Sequence, residues 1–415
     1  MSETINNQQL LERDDLVVRC SLLVDRRSKL SDEQRTTSSE QRTTKFDDLA
    51  LDVFNYQYKY NAFFSQFCDL IDKKPTQINS IAELPFLPIT FFKNKILKTG
   101  DWKTETQFLS SGTTGVITSS HHVKSTDWYN AITKDGFESF YGSLKNYCIL
   151  GLLPAYLERP GSSLVHMVEY FIRQSAHPQS GFFLYNQADL KLILEDTART
   201  KTPTILFGVT FALLDFVEKY TLQLPDLIII ETGGMKGRRK EIIRSELHEK
   251  LRKGFGAKKI HSEYGMTELL SQAYLVDSCA HLVDSCQLTA HLVDSCQLTV
   301  DSLRAINVCQ LSTDNYQLNA LSTVNEQRTT RFEPIATMKV LSRDVTDPFN
   351  IFPSDPKKNK SPTGALNIID LANIDTCSFI ATDDLGKVYA DGSFEVLGRM
   401  DNSDVRGCAL LMVNG

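Results

Sequence analysis

The sequence lacks the features that mark membrane-spanning, secreted or nucleic-acid-coating proteins. Its 415 residues carry 45 Lys and Arg against 51 Asp and Glu, a formal net charge of −6. Because so faintly acidic a chain has no excess of basic charge to bind phosphates, we expect neither nucleic acid nor an anionic membrane as a partner. No run approaches the ~18 apolar residues that a membrane-spanning helix needs, and Met1 to Asp15 is polar and charged, unlike a signal peptide.

The cysteine content also argues against a disulfide-stabilised secreted protein. The nine cysteines are an odd number scattered through the chain, which favours a reducing cytoplasm. Hydrophobic residues make up 41% of the chain, enough for a sizeable core. At about 150 residues per domain, this length predicts two or three units or one large α/β domain.

Two segments differ in character from the rest. The unit AHLVDSCQLT occurs twice without a mismatch between Ala280 and Thr299, and EQRTT occurs at 33–37, 40–44 and 326–330. Repeats that form a solenoid are longer and vary in sequence, so perfect short copies indicate recent duplication rather than a packing unit. We therefore expect insertions at about residues 17–44 and 275–333, both of them loops with little ordered structure.

The duplicated unit also raises the possibility of a zinc site. It repeats one histidine and one cysteine, giving His281, Cys286, His291 and Cys296. Paired zinc ligands normally lie two to four residues apart, whereas the spacing here is regular because the unit is duplicated. We favour the duplication and predict no zinc site.

Outside these insertions the chain alternates between helical and strand patterns. Apolar spacing predicts helices at 49–72 and 240–253, the second ending at Gly254, and short apolar runs predict buried strands. The predicted strands are 148–153, Thr204–Val209, 227–230, 258–260, 365–369, 378–382, 387–389 and 394–397. This alternation predicts an α/β fold with mostly parallel sheets flanked by helices and a small β-rich C-terminal part. The expected organisation is an N-terminal segment (1–45), the core (46–274), the repeat insertion (275–333) and the rest of the core (334–415).

The first candidate motif is the hydroxyl- and glycine-rich stretch Ser110-Ser111-Gly112-Thr113-Thr114-Gly115. Its glycines allow close approach of the backbone to a ligand, and its hydroxyl and N–H groups suit phosphate. It lacks the lysine of a P-loop. Taken alone, an ordinary loop is the commoner outcome for such a cluster.

The second motif runs from His261 to Glu268 and includes Tyr264-Gly265-Met266-Thr267-Glu268. The hydroxyl of Thr267 and the carboxylate of Glu268 could hold an α-phosphate and Mg²⁺. They could equally cap a helix that we expect at 269–274, and both roles are compatible.

Two further motifs follow predicted strands. Glu231-Thr232-Gly233-Gly234-Met235-Lys236 lies where parallel α/β sheets collect ligands, and its paired glycines would let a flat base lie on the backbone. Ala381 to Gly386 contains Asp384, which could accept hydrogen bonds from ribose hydroxyls. The arginine of Gly398-Arg399-Met400-Asp401-Asn402 could pair with phosphate or fix that aspartate. Either segment alone is about as well explained by a plain turn.

Taken together, the four motifs resemble the motif series of the acyl-adenylate-forming superfamily. The resemblance covers nearly all of the chain from Phe46 to Val413, apart from the central insertion. Within this superfamily, the chain looks most like the LuxE-type acyl-protein synthetases, which are the synthetase component of fatty-acid reductases. The closer likeness is carried by His177-Pro178-Gln179-Ser180-Gly181, by Glu231 to Arg239 and by Leu397 to Cys408.

The resemblance implies ATP- and Mg²⁺-dependent conversion of a fatty acid to acyl-AMP. The acyl group then passes as a thioester to a cysteine near the C-terminus, for delivery to an acyl-reductase partner. By matching positions, Ser111, Gly112, Thr113, Thr114 and Gly115 would hold the triphosphate and Thr267 the α-phosphate. Glu268 would bind Mg²⁺, Gly233, Gly234 and Tyr264 would flank adenine, and Asp384 would bind ribose. Cys408 matches the acyl-accepting cysteine.

One departure from the superfamily pattern concerns the C-terminal lid and its catalytic lysine, for which no residues match. Lys236, Arg399 or Arg406 would then have to neutralise the charge that develops on the phosphate. Two alternatives remain open: a ligase that delivers the acyl group to coenzyme A or a carrier protein, and an inactive nucleotide-binding partner subunit.

Overall fold

The structure is a computed structural model that describes residues 2–27, 39–110, 118–153, 161–183, 186–233, 242–275, 331–353 and 362–400. The helices in these ranges are α1 Ser2–Arg27, α2 Ser39–Tyr60, α3 Ala62–Leu70, α4 Phe91–Asn94, α5 Thr126–Tyr141, α6 Ser163–Ser175, α7 Gln187–Thr200, α8 Thr210–Lys219 and α9 Arg244–Phe255. The strands are β1 Leu87–Pro88, β2 Thr106–Leu109, β3 Ser120–Val123, β4 Cys148–Leu152, β5 Gly181–Phe182, β6 Thr204–Val209, β7 Ile228–Thr232, β8 Lys259–Tyr264, β9 Ala273–Leu275, β10 Glu333–Pro334, β11 Met338–Arg343, β12 Gly364–Asp370, β13 Phe379–Val388 and β14 Phe394–Arg399.

The larger sheet has the strand order β10-β9-β8-β7-β6-β4-β5. Strands β5, β4, β6, β7 and β8 are parallel, while β9 and β10 are antiparallel additions at one edge. All the residues of β4, β6 and β7 are buried, as expected for parallel strands covered on both faces. The predicted α/β fold with a mostly parallel sheet is confirmed.

The second sheet has the order β1-β13-β12-β11, with β14 also paired to β13. The ranges 378–382 and 387–389, predicted as separate strands, form one strand, β13, whose register shifts between Leu385 and Gly386. A Cβ atom at Gly386 would lie 2.1 Å from the carbonyl oxygen of Glu395. Glycine therefore permits the close approach of two strands here and does not end one.

The N-terminal expectation was wrong for the residues that the structure describes. Within 17–44, residues 17–27 belong to α1 and residues 39–44 begin α2, while residues 28–38 lie outside the described ranges. Leu16 and Cys20, one turn apart on α1, are buried in the core. Glu, Gln and Arg of the second EQRTT copy are good helix formers, so perfect repetition does not prevent helix formation.

Two predicted helix boundaries also differ. The predicted helix 49–72 is divided at Asn61, whose side chain caps α3 by accepting a hydrogen bond from the N–H of Phe64 at 3.0 Å. Helix α9 continues through Gly254 and ends at Phe255, followed by Gly256 with a positive φ of 62°. Gly254 instead packs closely on Val217 of α8, since a Cβ atom there would lie 2.3 Å from the Val217 side chain.

The predicted helix at 269–274 is absent, because residues 266–272 form an irregular turn that leads into β9. Strand β10 then pairs with β9, placing Glu333 opposite Tyr274. The repeats between these strands lie outside the described residues, including the four candidate zinc ligands. In the part of the chain that is described, no helix is long and apolar enough to cross a membrane.

Candidate nucleotide site

The ends of the parallel strands place two of the predicted motifs at one edge of the larger sheet. Gly233 follows β7 directly and has a φ of 85°, a conformation that glycine adopts without strain. Tyr264 ends β8, the neighbouring strand. Ligands of open α/β sheets bind at this edge, so the topology places Gly233 and Tyr264 where a nucleotide would be expected.

A buried hydrogen bond joins the two sheets. The hydroxyl of Tyr264 donates to Oδ2 of Asp384 at 2.8 Å, although the two residues are 120 positions apart. Arg399, at the end of β14, donates from Nε to the other carboxylate oxygen at 3.1 Å. Burial raises the pKa of Asp384, while the charge of Arg399 and the Tyr264 hydroxyl act in the opposite direction.

These contacts also fix the orientation of Tyr264. Its ring packs on Phe332 and Phe394, with centroid distances of 5.7 and 5.3 Å, and only 1% of the residue is exposed. Contact between this ring and adenine stays a prediction, as do ribose binding by Asp384 and the catalytic role of Arg399.

A buried polar network lies behind Gly233. Glu231, two residues earlier on β7, accepts hydrogen bonds from Thr210 at 3.1 Å and from Ser262 at 2.7 Å. Burial raises the pKa of Glu231, but His248 and Arg244 of α9 outweigh it and lower that pKa overall. One carboxylate on β7 therefore links β8 to the first residue of α8, which directly follows β6, and this stabilises the turn at Gly233.

The turn that carries Thr267 and Glu268 is held by two side chains from elsewhere in the fold. Nδ1 of His121 lies 2.8 Å from the carbonyl oxygen of Thr267, and the amide of Asn373 donates to the carbonyl oxygen of Glu268, also at 2.8 Å. Since a carbonyl oxygen can only accept, Nδ1 of His121 carries a proton. Burial lowers the pKa of His121 to about 4, so the ring is neutral and its Nε2 accepts from Thr376 at 3.1 Å.

The next residues of the turn are bound by Asp370. Its carboxylate accepts hydrogen bonds from the main-chain N–H groups of Leu270 and Ser271 at 2.8 and 3.0 Å, and from the Ser271 hydroxyl at 2.6 Å. The Glu268 carbonyl, which would accept the first hydrogen bond of a helix beginning at 269, is instead paired with Asn373. Side chains from elsewhere in the fold therefore hold these residues in a turn. Sequence reasoning missed His121, Asn373 and Asp370; the only signal was the period-two pattern that buries His121 and Val123 on β3.

The hydroxyl- and glycine-rich loop connects β2 to β3. Its central residues, Ser111, Gly112, Thr113, Thr114 and Gly115, lie outside the described residues. Its ends are closed by the hydrogen bond from the Ser110 N–H to the Ser119 carbonyl at 2.9 Å and the return bond from the Ser119 N–H to the Ser110 hydroxyl at 2.8 Å. Ser119 is two residues from His121, at most about 7 Å along the chain. The base of this loop therefore lies close to the Thr267 turn.

The donor set at this turn suits Mg²⁺ bound together with phosphates. Among the described residues, no group of three or more His, Cys, Asp and Glu side chains could hold a metal ion by itself. Magnesium is usually bound by one or two carboxylates and completed by substrate phosphates and water. Glu268 is a buried carboxylate beside Thr267, so a single protein ligand fits this pattern. The other site candidates, Gly234, Lys236, Arg406 and Cys408, lie outside the described residues.

Residues 6–127 match the acyl-protein synthetase (LuxE) family, a range that includes the first motif but none of the other three. No curated protein sequence matches the chain. A solved 2-hydroxyisobutyryl-CoA ligase in the postadenylation state is 11% identical, with a TM-score of 0.52 over 86% of this chain and 68% of that one.

Two further solved structures align with this chain at lower TM-scores. A long-chain-fatty-acid–CoA ligase from Archaeoglobus fulgidus is 14% identical over 70% of this chain and 50% of its own, with a TM-score of 0.42. O-succinylbenzoate–CoA synthetase from Bacillus subtilis, in complex with ATP and magnesium, is 16% identical over 73% and 52%, also with a TM-score of 0.42. The chain spans about half the length of these two proteins. It has the α/β fold of the adenylate-forming enzymes, and over residues 6–127 it matches the LuxE acyl-protein synthetases.

Proposed function

We propose that this chain is an acyl-protein synthetase that uses ATP and Mg²⁺ to activate a carboxylic acid, by family resemblance a long-chain fatty acid. In the first step, a carboxylate oxygen of the acid attacks the α-phosphorus of ATP, and the bond to pyrophosphate breaks. In the second, the thiolate of Cys408 attacks the acyl carbon, and AMP leaves with the electron pair of the broken C–O bond. The thioester would then supply an acyl-reductase partner.

The observation that carries this proposal is the Tyr264–Asp384 hydrogen bond between the two sheets. It joins two motifs that sequence resemblance assigns to one nucleotide, and Arg399, from the same motif as Asp384, adds a cation to the same carboxylate. Asp384 would accept hydrogen bonds from ribose hydroxyls in addition to these two, because a carboxylate accepts several hydrogen bonds at once. Tyr264 and Arg399 would hold the carboxylate in its orientation while the nucleotide is bound.

The Thr267 turn would provide the reacting end of the site. With its carbonyl fixed by His121, Thr267 can direct its hydroxyl at a phosphate without the backbone having to reorganise. Mg²⁺ held by Glu268 and the phosphates would supply positive charge to the pyrophosphate leaving group. Lys236 or Arg406 would add positive charge at the α-phosphate.

The burial of the described cysteines supports Cys408 as the acyl acceptor. Cys20, Cys68, Cys148 and Cys377 are all buried, and burial raises the pKa of each thiol. Because the thiolate is the nucleophile, these four are poorly suited to attack an acyl-adenylate. The remaining five are Cys279, Cys286, Cys296, Cys309 and Cys408, and the family resemblance selects the last.

Acid-dependent exchange of labelled pyrophosphate into ATP tests the first step. We expect exchange that requires an acid and Mg²⁺ and that falls at least about 100-fold in Glu268→Gln. Exchange by the unaltered chain would exclude the inactive-subunit alternative, and its absence with every acid would overturn the proposal.

Intact-protein mass spectrometry after incubation with ATP, Mg²⁺ and fatty acid tests the second step. We expect one acyl adduct, lost in Cys408→Ser but kept in Cys286→Ser, a matched control in the repeat. If Cys408→Ser still transfers the acyl group to coenzyme A at the full rate, the CoA-ligase alternative is correct.

A further inference from the structure

A second buried polar cluster lies on the face of β8 opposite to Tyr264. Side chains alternate along a strand, so His261 and Glu263 share this face, and Tyr274 on β9 lies directly opposite Glu263 in the antiparallel register. Only 3%, 8% and 0% of these three residues are exposed. Helix α5 covers them through Tyr141, whose ring packs edge-on against Tyr274 at 5.7 Å and whose hydroxyl lies 3.1 Å from Nδ1 of His261.

This cluster has more hydrogen-bonding capacity than the described protein atoms use. The Tyr274 hydroxyl and Nε2 of His261 have no partner among the described residues. Glu263 accepts one bond, from the Thr232 hydroxyl to Oε2 at 2.6 Å. An unpaired buried polar group is costly, and such groups are commonly kept where a ligand completes them.

The cluster is also positioned next to the reacting end of the proposed site. A Cβ atom at Gly265 would lie 2.3 Å from Oε1 of Glu263, so this oxygen lies directly over the main chain that leads to Thr267. Tyr264 and Asp384 occupy the other face, where the nucleotide is expected. The cluster therefore lies beside the main chain that leads to Thr267, on the face of β8 away from the expected nucleotide.

We propose that Glu263 and Tyr274, assisted by His261, bind a hydroxyl group carried by the acid substrate. This inference rests on the proposed function and specifies the substrate class. A hydroxyl can donate to Oε1 of Glu263 and accept from the Tyr274 hydroxyl, so it satisfies both groups at once. A plain alkyl chain would leave them buried and unpaired, which is how polar sites reject analogues that lack a hydroxyl.

A hydroxyl suits the cluster better than an ammonium group. Burial raises the pKa of Glu263 to about 7, so both the protonated and the ionised form of its carboxyl group are present near neutral pH. A neutral hydroxyl can hydrogen bond to either form of the carboxyl group, whereas an ammonium ion would need the charged one.

The test compares fatty acids of one chain length that differ only in a hydroxyl, placed at successive carbons, using acid-dependent pyrophosphate exchange. We expect at least one hydroxy acid to exceed the plain acid in kcat/KM by about tenfold or more. Tyr274→Phe and Glu263→Met should each reduce this preference about tenfold. Tyr58→Phe is the matched control and should keep the preference, because Tyr58 is a partly buried tyrosine elsewhere in the fold whose hydroxyl bonds Asp69.

Tyr274→Phe decides the matter even if Glu263→Met does not fold, because the hydroxyl that it removes has no partner among the described residues. Its melting temperature should be at least that of the unaltered protein, because the lost hydroxyl is buried without a partner among the described residues. Equal rates for plain and hydroxy acids, or an unchanged preference in Tyr274→Phe, would overturn this inference while leaving the proposed function intact. Absence of exchange with every acid would instead overturn both.

Discussion

Replacement of His121 by alanine should both destabilise the protein and impair acid activation. The residue is 1% exposed, and its ring lies 5.6 Å from that of Phe92. The substitution leaves the Thr267 carbonyl and the Thr376 hydroxyl without their partner, at roughly 1–3 kcal/mol for each buried group. We therefore expect the free energy of unfolding to fall by about 2–5 kcal/mol.

The functional loss should exceed what instability explains. Without His121, the Thr267 carbonyl is free to move, and a displacement of about 1 Å near a reacting centre costs on the order of 100-fold in rate. The assays are urea unfolding and the kcat of pyrophosphate exchange, measured at a temperature where the variant is folded. His121→Gln should recover part of both losses, since its amide can still donate to the carbonyl.

His122→Ala is the matched control. Its side chain points to the other face of β3, is partly exposed and contacts the Thr104 hydroxyl at 3.2 Å. Water can replace that contact, so we expect a loss of less than about 1 kcal/mol. If His121→Ala is no more harmful than His122→Ala in either assay, the hydrogen bond from His121 to the Thr267 carbonyl is unimportant and this reasoning is wrong.

Three further predictions concern the same core. Tyr264→Phe removes the hydroxyl that donates to buried Asp384. It should raise the KM for ATP more than it lowers kcat, and it should lower the free energy of unfolding in urea by about 1–3 kcal/mol. An unchanged KM would contradict this. Burial lowers the pKa of His121 to about 4 and that of His261 to about 3. The contribution of these two residues to the free energy of unfolding is therefore present above the unfolded pKa of about 6.5 and is lost as pH falls below it. Glu263, whose pKa is raised to about 7, has the opposite effect: its stabilisation is present below the unfolded pKa and is lost as pH rises to about 7. Urea unfolding of Glu263→Gln, measured as a function of pH, should not show this loss of stability as pH rises to about 7. Because β9 and β10 pair directly, a chain with a four-residue turn in place of 276–330 should fold and retain exchange; an unfolded circular dichroism spectrum would refute this.

The sequence was most informative where burial is uniform. The run Thr204–Val209 is a strand with the predicted bounds, and the run at 227–230 lies almost wholly within β7, because continuous apolar residues leave few alternatives to a central strand. The helix boundaries were less predictable. Glycine commonly marks the end of a helix, but Gly254 lies inside α9, where it packs closely on Val217. No local sequence pattern reveals that contact.

The turn at 266–272 shows why part of the site could not be predicted. Its apolar and capping residues fit a helix, but Asp370 lies about a hundred positions away and takes the N–H groups of Leu270 and Ser271. His121 and Asn373 act on the same turn over similar distances along the chain. Such long-range bonds between side chains and backbone leave no periodicity in the sequence. The family resemblance assigned Tyr264 and Asp384 to one nucleotide but did not predict the hydrogen bond between them.

The central claim is that the Tyr264–Asp384 pair and the Thr267 turn form one site that adenylates an acid. Pyrophosphate exchange into ATP by the purified full chain, with and without a hydroxy fatty acid and with Asp384→Ala as the comparison, tests it most directly. The account predicts Mg²⁺-dependent exchange only when an acid is present, reduced at least about 100-fold in the variant. Exchange that is equally fast in Asp384→Ala, or absent with every acid, would contradict it.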